Sequence, residues 1–215
     1  MKITIISDTH NYHKKLQLSD SSDLLIHAGD FSSMGHHHEI EAFLKWLTKL
    51  RDKYKYIIFI AGNHDTSFQK EPDFKNEILK KYNINNSNIY YLENSGIELE
   101  GFNIWGSPWS PIFNNWTFGY NKGKDPWHLI PDNTNILITH GPPHQILDKT
   151  WDSRNSGCNT LRIKIESIKD LKLHCFGHIH ESGGNLLKVN SITYVNASIC
   201  NLDRKNLNKP QEIEI

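Results

Sequence analysis

The sequence predicts an α/β fold whose later part is antiparallel. Short apolar runs rich in β-branched and aromatic residues recur along the 215-residue chain, and each core run stops at a cluster of Asp, Asn or His. A helical pattern lies between two early runs, and strand–helix–strand implies a parallel pair with a right-handed crossover. Two late runs, 186–189 and 193–196, read as antiparallel.

The elements follow in order. Residues 2–7 (KITIIS) form a first strand that ends at Asp8-Thr9-His10. Residues 23–27 (DLLIH) form a second, ending at Ala28-Gly29-Asp30, and the interval between them has little room for a helix. Ile40, Phe43, Leu44, Leu47 and Leu50 recur at helical spacing and place a helix over roughly 37–52. The third strand is the apolar run 56–61 (YIIFIA), followed by Gly62-Asn63-His64-Asp65. Gly62 allows a sharp turn and a close approach to a ligand. A short helix is expected over 73–81, then a meander of strands at 89–92, 96–99 and 102–105.

Residues 107–127 form a long loop whose aromatics, Trp109, Phe113, Trp116 and Phe118, predict that it is ordered. Residues 135–139 (NILIT) form a strand ending at His140-Gly141-Pro142-Pro143. Leu161, Ile165 and Ile168 mark one helix face, with Ser156 as its expected N-cap. Residues 172–176 form a strand ending at Gly177-His178-Ile179-His180, and 212–215 are expected to add an edge strand.

Composition narrows the function. Lys+Arg and Asp+Glu are both 24, so no global basic field draws the chain to nucleic acid or anionic lipid. Cys158, Cys175 and Cys200 have no metal-binding or disulfide spacing and fit reduced thiols. With no leader and no run long enough to span a bilayer, the expectation is one cytoplasmic domain over 1–215. Thirteen His direct attention to metal ligation.

The strand-end clusters supply carboxylates (Asp8, Asp30), an amide oxygen (Asn63) and imidazoles (His10, His140, His178, His180). That mixture suits Mn²⁺, Fe or Zn²⁺ better than Ca²⁺ or a thiolate site. Each residue alone reads as a turn former or a satisfied polar group. Their order and shared position after apolar strands reverse that reading. His36, His37 and His38 read as the solvated start of a helix, and His27 and His174 as strand-interior histidines.

The ordered motifs D-x-H, G-D, G-N-H-D, H-G-P-P and G-H-I-H resemble the calcineurin-like metallophosphoesterases, over nearly the whole chain. Trp105-Gly-Ser-Pro-Trp109, Phe113-Asn-Asn-Trp116 and Asn196-Ala-Ser198 are similar to the small metallophosphodiesterases related to the mammalian brain and fetal enzymes. Some animal members of that branch carry Gly where this chain has His178.

The resemblance implies a four-layer αββα sandwich of two mixed sheets. It implies two divalent ions, Mn²⁺ first, with Fe or Zn²⁺ as alternatives. Asp8, His10, Asp30 and His180 would hold one ion, and Asp30, Asn63, His140 and His178 the other, with hydroxide generated between them. His64 would assist the leaving oxygen, with Asp65 orienting its loop. His144 and Trp109 are candidates to contact substrate.

The expected reaction is hydrolysis of small phosphodiesters, with cyclic nucleotides leading and no stable nucleic-acid or membrane partner. A phosphomonoesterase, a nuclease or a metal-bound scaffold for a protein partner are the alternatives. Oligomeric state is left open.

Overall fold

A computed structural model describes every residue of the chain except Ser21, Phe113, Lys122 and Arg204. The expected Phe113 anchor therefore lies outside the described residues.

Two mixed sheets lie face to face. The first has the order β13-β1-β2-β3-β4, built from β1 (Lys2–Ile6), β2 (Leu24–Ala28), β3 (Tyr56–Ile60), β4 (Ile89–Tyr91) and β13 (Gln211–Glu214). Strands β1 to β4 are parallel, and β13 runs antiparallel on the edge against β1. The second has the order β11-β12-β10-β9-β6-β5, from β5 (Ser95–Leu99), β6 (Phe102–Ser107), β9 (Ile136–Thr139), β10 (Leu173–Phe176), β11 (Asn185–Val189) and β12 (Ile192–Asn196). Here β6, β9, β10 and β12 are parallel, and the outer strands β5 and β11 are antiparallel. A small parallel pair, β7 (Ser110–Pro111) with β8 (Gly119–Tyr120), lies within the long loop.

Side-chain alternation along the strands assigns the layers. On β3, Ile58 and Ile60 face inward and meet Ile104, Ile136, Ile138, Leu173 and Val195 of the second sheet. Ile57 and Phe59 face outward, against Ile40, Phe43, Leu44 and Leu47 of α1 (His37–Thr48) and Ile78 of α3 (Pro72–Lys81). On the far side, Leu137, Phe176 and Tyr194 cover Leu161 and Ile165 of α4 (Asn159–Ser167). The architecture is the four-layer α/β sandwich that the resemblance implied.

Local details differ from the expectation in three places. The strands at 89–105 do not form one meander: β4 joins the first sheet, while β5 and β6 form a hairpin in the second. A short helix, α2 (Thr66–Lys70), precedes α3. Helix α4 is capped by Cys158 rather than Ser156; its Sγ accepts from Leu161 N at 3.3 Å and from Trp127 Nε1 at 3.2 Å. A polarisable thiol buried between those two donors does the work that a hydroxyl was expected to do. Cys158, Cys175 and Cys200 are all buried, each as a thiol rather than half of a disulfide. No helix among the described residues is long and apolar enough to cross a membrane.

The parallel strands β1, β2, β3, β9 and β10 finish at the same edge of the sandwich. Backbone bonds join the two sheets there, with Ser7 N donating to Ala197 O and Ile199 N donating to Ser7 O, both at 2.9 Å. Ligand sites in open parallel sheets collect outside such strand ends.

Candidate metal centre

Each predicted ligand sits one to four residues beyond a core strand. Asp8 and His10 follow β1, Asp30 follows β2, Asn63 follows β3, His140 follows β9, and His178 and His180 follow β10. Asp8, His10, Asp30 and His178 adopt φ of 49, 38, 54 and 68°, a left-handed backbone that non-glycine residues rarely take. Gly62 is required here for space: a Cβ on it would lie 2.3 Å from Asp30 Oδ1 and 2.7 Å from His140 Cε1.

The side chains converge. Asp8, His10 and His180 form one group whose potential ligand atoms lie within 4.8 Å of one another, and Asp8, Asp30 and His140 form a second. His10 Nε2 is 3.3 Å from His180 Nε2, and His180 Nε2 is 3.3 Å from Asp8 Oδ1. Across the cluster, His140 Nε2 is 3.3 Å from Asp30 Oδ2 and 2.9 Å from Asn63 Oδ1. Asp8 and Asp30 are thus shared between groups that the two sheets contribute jointly.

The donor set fits divalent ions. His10 Nδ1 bonds to Ser32 O at 3.1 Å, and His140 Nδ1 bonds to Ala28 O at 3.0 Å. A backbone carbonyl can only accept, so each Nδ1 carries the proton and each Nε2 faces the centre. Two imidazole nitrogens about 2.1 Å from one tetrahedral ion would be separated by about 3.4 Å, close to the His10–His180 spacing. Asp8 is held in turn by Ser198 Oγ at 2.7 Å and by the His178 backbone N–H, which reaches both of its oxygens.

Electrostatics favour a cation. Burial opposes charge on Asp8 and Asp30, yet the surrounding histidines hold both carboxyls well below the ordinary range. Burial also opposes charge on His140, but Asp30 and Asp8 raise it to about 9. The same carboxylates that retain that proton would retain a metal ion in its place. Burial pushes His10 and His178 down to about 4, so both are neutral and able to ligate near pH 7.

His178 lines the cleft beside His140, with ring centroids 5.0 Å apart, but belongs to none of the tight groups among the described residues. His64 is grouped with His10 and Asp30, so it stands nearer the ligand cluster than a residue reserved for the leaving group need stand. Its Nδ1 donates to Ser33 O at 2.6 Å, and its backbone N donates to Asp30 Oδ1 at 2.7 Å. Asp65 accepts from Ser32 N, Ser32 Oγ and Gly62 N at 3.0, 2.6 and 2.8 Å, bracing the Gly62–Asp65 turn. Burial, with the charge of Asp30 beside it, pushes the Asp65 carboxyl up to about 8 despite those donors.

The long loop clamps this turn. Trp116 lies against His64 with ring centroids 4.0 Å apart, and Thr117 Oγ1 donates to Asn63 O at 2.7 Å. His144 and Trp109, the residues expected to contact substrate, have other neighbours in the structure. His144 stands 3.8 Å from Asp148 Oδ2, and Trp109 packs edge-on against Phe118; neither is among the residues lining the cleft. His37 stacks on Phe74 and bonds to Glu71, a helix-surface arrangement apart from the centre.

The cleft over the cluster holds about 670 Å³ and is lined by Asp30, Asn63, His64, His178 and His180 at its base. Its rim includes Ile112, Trp151, Arg154 and Leu202, none of which a strand-end motif could have flagged. Trp151 and Arg154 fall in a sequence stretch with no periodicity, and only their assembly beside the histidine loop singles them out.

Comparisons with known proteins agree with this geometry. The family profile described as calcineurin-like phosphoesterase matches residues 1–182. Metallophosphoesterase domain-containing protein 1 of Homo sapiens is 37% identical over 236 residues, covering 100% of this chain and 71% of that protein. A UPF0046 protein of Caenorhabditis elegans is 35% identical over 212 residues, covering 94% of this chain and 70% of its own length. The solved structure of TT1561 of Thermus thermophilus shares the fold with a TM-score of 0.63 at 11% identity, over 91% of this chain and 88% of that one. With the strand-end Asp and His clusters in place, the matches show that the chain belongs to the calcineurin-like phosphoesterase family, whose members are metal-dependent phosphoesterases.

Proposed function

We propose that the protein hydrolyses small phosphodiesters, with cyclic nucleotides as the leading substrate class, at a two-ion centre. The observation that carries this reading is the overlap of the ligand groups. Asp8 and His10 reach toward His180, Asp30 reaches toward His140, and the groups share their carboxylates within one cleft. Asp30 would be shared by both ions, and Asn63 and His178 would complete the side nearer His140.

Bound divalent ions would supply an activated water and neutralise charge that builds on the phosphoryl oxygens. The chain's own residues do the rest. Ser198 and the His178 N–H fix Asp8, and the His64 N–H fixes Asp30, so neither carboxylate must reorient when substrate enters. His64 directs Nε2 into the cleft because Ser33 O holds its Nδ1. A proton on that Nε2 would be delivered to the departing oxygen. The turn carrying His64 is held by Asp65 beneath and Trp116 above, which keeps the ring oriented.

Mn²⁺ is the proposed native ion, with Fe or Zn²⁺ compatible with the same oxygen and nitrogen donors. The test is turnover of bis-p-nitrophenyl phosphate with added Mn²⁺, set against the same preparation treated with EDTA. Turnover that vanishes with EDTA and returns with Mn²⁺ is expected. Full activity in protein shown to be metal-free by elemental analysis would overturn the proposal, and no turnover with any ion would favour a scaffold.

A further inference from the structure

Trp151 is 79% exposed, at odds with the usual burial of an indole, and it stands at the mouth of the catalytic cleft. It is not on a loose loop. Lys149 and Asn155 pair across a short antiparallel hairpin, and Thr150 N donates to Arg154 O at 3.0 Å. Inside the hairpin, Asp152 accepts from Thr150 Oγ1 at 2.7 Å and from Arg154 Nε at 2.5 Å. The hairpin is also tied to the turn that follows the candidate ligand His180. Trp151 N donates to Glu181 Oε1, and Ser182 Oγ donates to Lys149 O, both at 3.0 Å. The backbone that carries the indole is therefore fixed relative to the histidine loop.

Other apolar side chains stand at the rim, alongside the Asp152–Arg154 ion pair and Glu181. Ile112 and Leu202 line the same cleft and are 55% and 63% exposed. The cleft thus has a polar floor of candidate ligands and a mixed rim that carries one indole, Trp151. Its volume of about 670 Å³ falls within the ~300–1,000 Å³ of sites that take a drug-sized ligand, more than a phosphate group fills. Exposed apolar groups gathered at one cleft mouth mark a place where a ligand is meant to cover them.

We propose that Trp151 is a specificity-determining platform on which the base of a nucleotide-type phosphodiester stacks while its phosphate occupies the Asp30–His180 floor. The inference rests on the phosphodiester reading above and names the organic half of the substrate. A flat π face favours a planar ring. Every base has a π face, so the platform separates base-bearing from aliphatic diesters and discriminates little among bases.

The test uses the Mn²⁺-loaded protein with Trp151→Ala and Trp151→Phe. Calorimetric titrations with adenosine 5′-monophosphate and with ribose 5-phosphate isolate the base. Turnover of 2′,3′-cyclic AMP and of glycerophosphoethanolamine provides the kinetic counterpart. In Trp151→Ala the affinity ratio of AMP to ribose 5-phosphate should fall roughly 5- to 150-fold, the range that loss of one stacking partner produces. The kcat/KM ratio of the two diesters should fall likewise, carried by KM. Trp151→Phe should retain most of both ratios. The proposal is overturned if both ligands weaken together, if neither changes, or if the unsubstituted protein binds AMP no better than ribose 5-phosphate. If neither diester is hydrolysed, the phosphodiesterase reading falls, and the calorimetric ratio still decides the role of Trp151.

Discussion

Replacing His174 with Gln should flatten the acid side of the stability curve. His174 lies on β10, fully buried against Phe176 and Tyr194. Thr139 Oγ1 is 2.7 Å from Gly141 O and 2.8 Å from His174 Nε2. The hydroxyl has one proton, and it goes to the carbonyl, so Nε2–H donates to Thr139 and Nδ1 is left as a buried lone pair with no partner among the described residues. A second proton would place a full charge in that apolar setting, and burial pushes the pKa down to about 3. In the unfolded chain the ring titrates near ~6.5.

Below about pH 6.5 the unfolded state therefore takes up a proton that the folded state refuses, and stability falls as pH falls. Between pH 7 and pH 5 this one ring accounts for about 2 kcal/mol. Gln keeps a donor for Thr139 and cannot titrate. Urea unfolding followed by Trp fluorescence at both pH values should show the unsubstituted protein losing about 2 kcal/mol more than His174→Gln over that interval, with unchanged m. His13 and His27, pushed by burial to about 4 and about 3, remain in both proteins, so only the difference isolates His174. Equal losses in the two proteins would refute the reasoning.

His64→Ala should retain both ions and lose turnover by about 10²–10⁴, more on a cyclic nucleotide than on an aryl ester whose leaving group needs no proton. Parallel losses on the two substrates, or loss of an ion, would point instead to a bracing or ligating role, which its place beside His10 and Asp30 makes a pointed question. Asp30→Asn should lower metal content and turnover together, because the carboxylate faces both His10 and His140. Two retained ions with near-normal activity would remove Asp30 from the bridge.

The core strands were legible because their chemistry is local. An apolar run such as 56–61 is too short for a helix and too β-branched to favour one, and it emerges as β3. The helical repeat from Ile40 to Leu47 likewise gives α1. The pairing of β4 was not legible, since sequence adjacency favours a hairpin with β5 while the structure sends β4 to the opposite sheet. The candidate ligands were readable because each follows a strand directly. The rim was not, because Trp151 is brought to the cleft by the Glu181 contact and Leu202 by the return of the chain after β12, links between residues distant in sequence. His144 and Trp109 are close to motif residues along the chain, and in the structure they neighbour Asp148 and Phe118.

The left-handed backbone at Asp8, His10, Asp30 and His178 sets fold and chemistry against each other. Each such residue costs about 1–3 kcal/mol that a glycine there would not incur. Mutational drift toward greater stability would therefore be drawn to the very positions that hold the candidate ligands. At 178 the pull is plain: glycine would relax the chain and keep the backbone N–H that binds Asp8. It would give up only the imidazole. A lineage released from selection on catalysis could cross that step without losing its fold, and the resulting protein would keep its shape and most of the floor of its cleft with one candidate ligand missing.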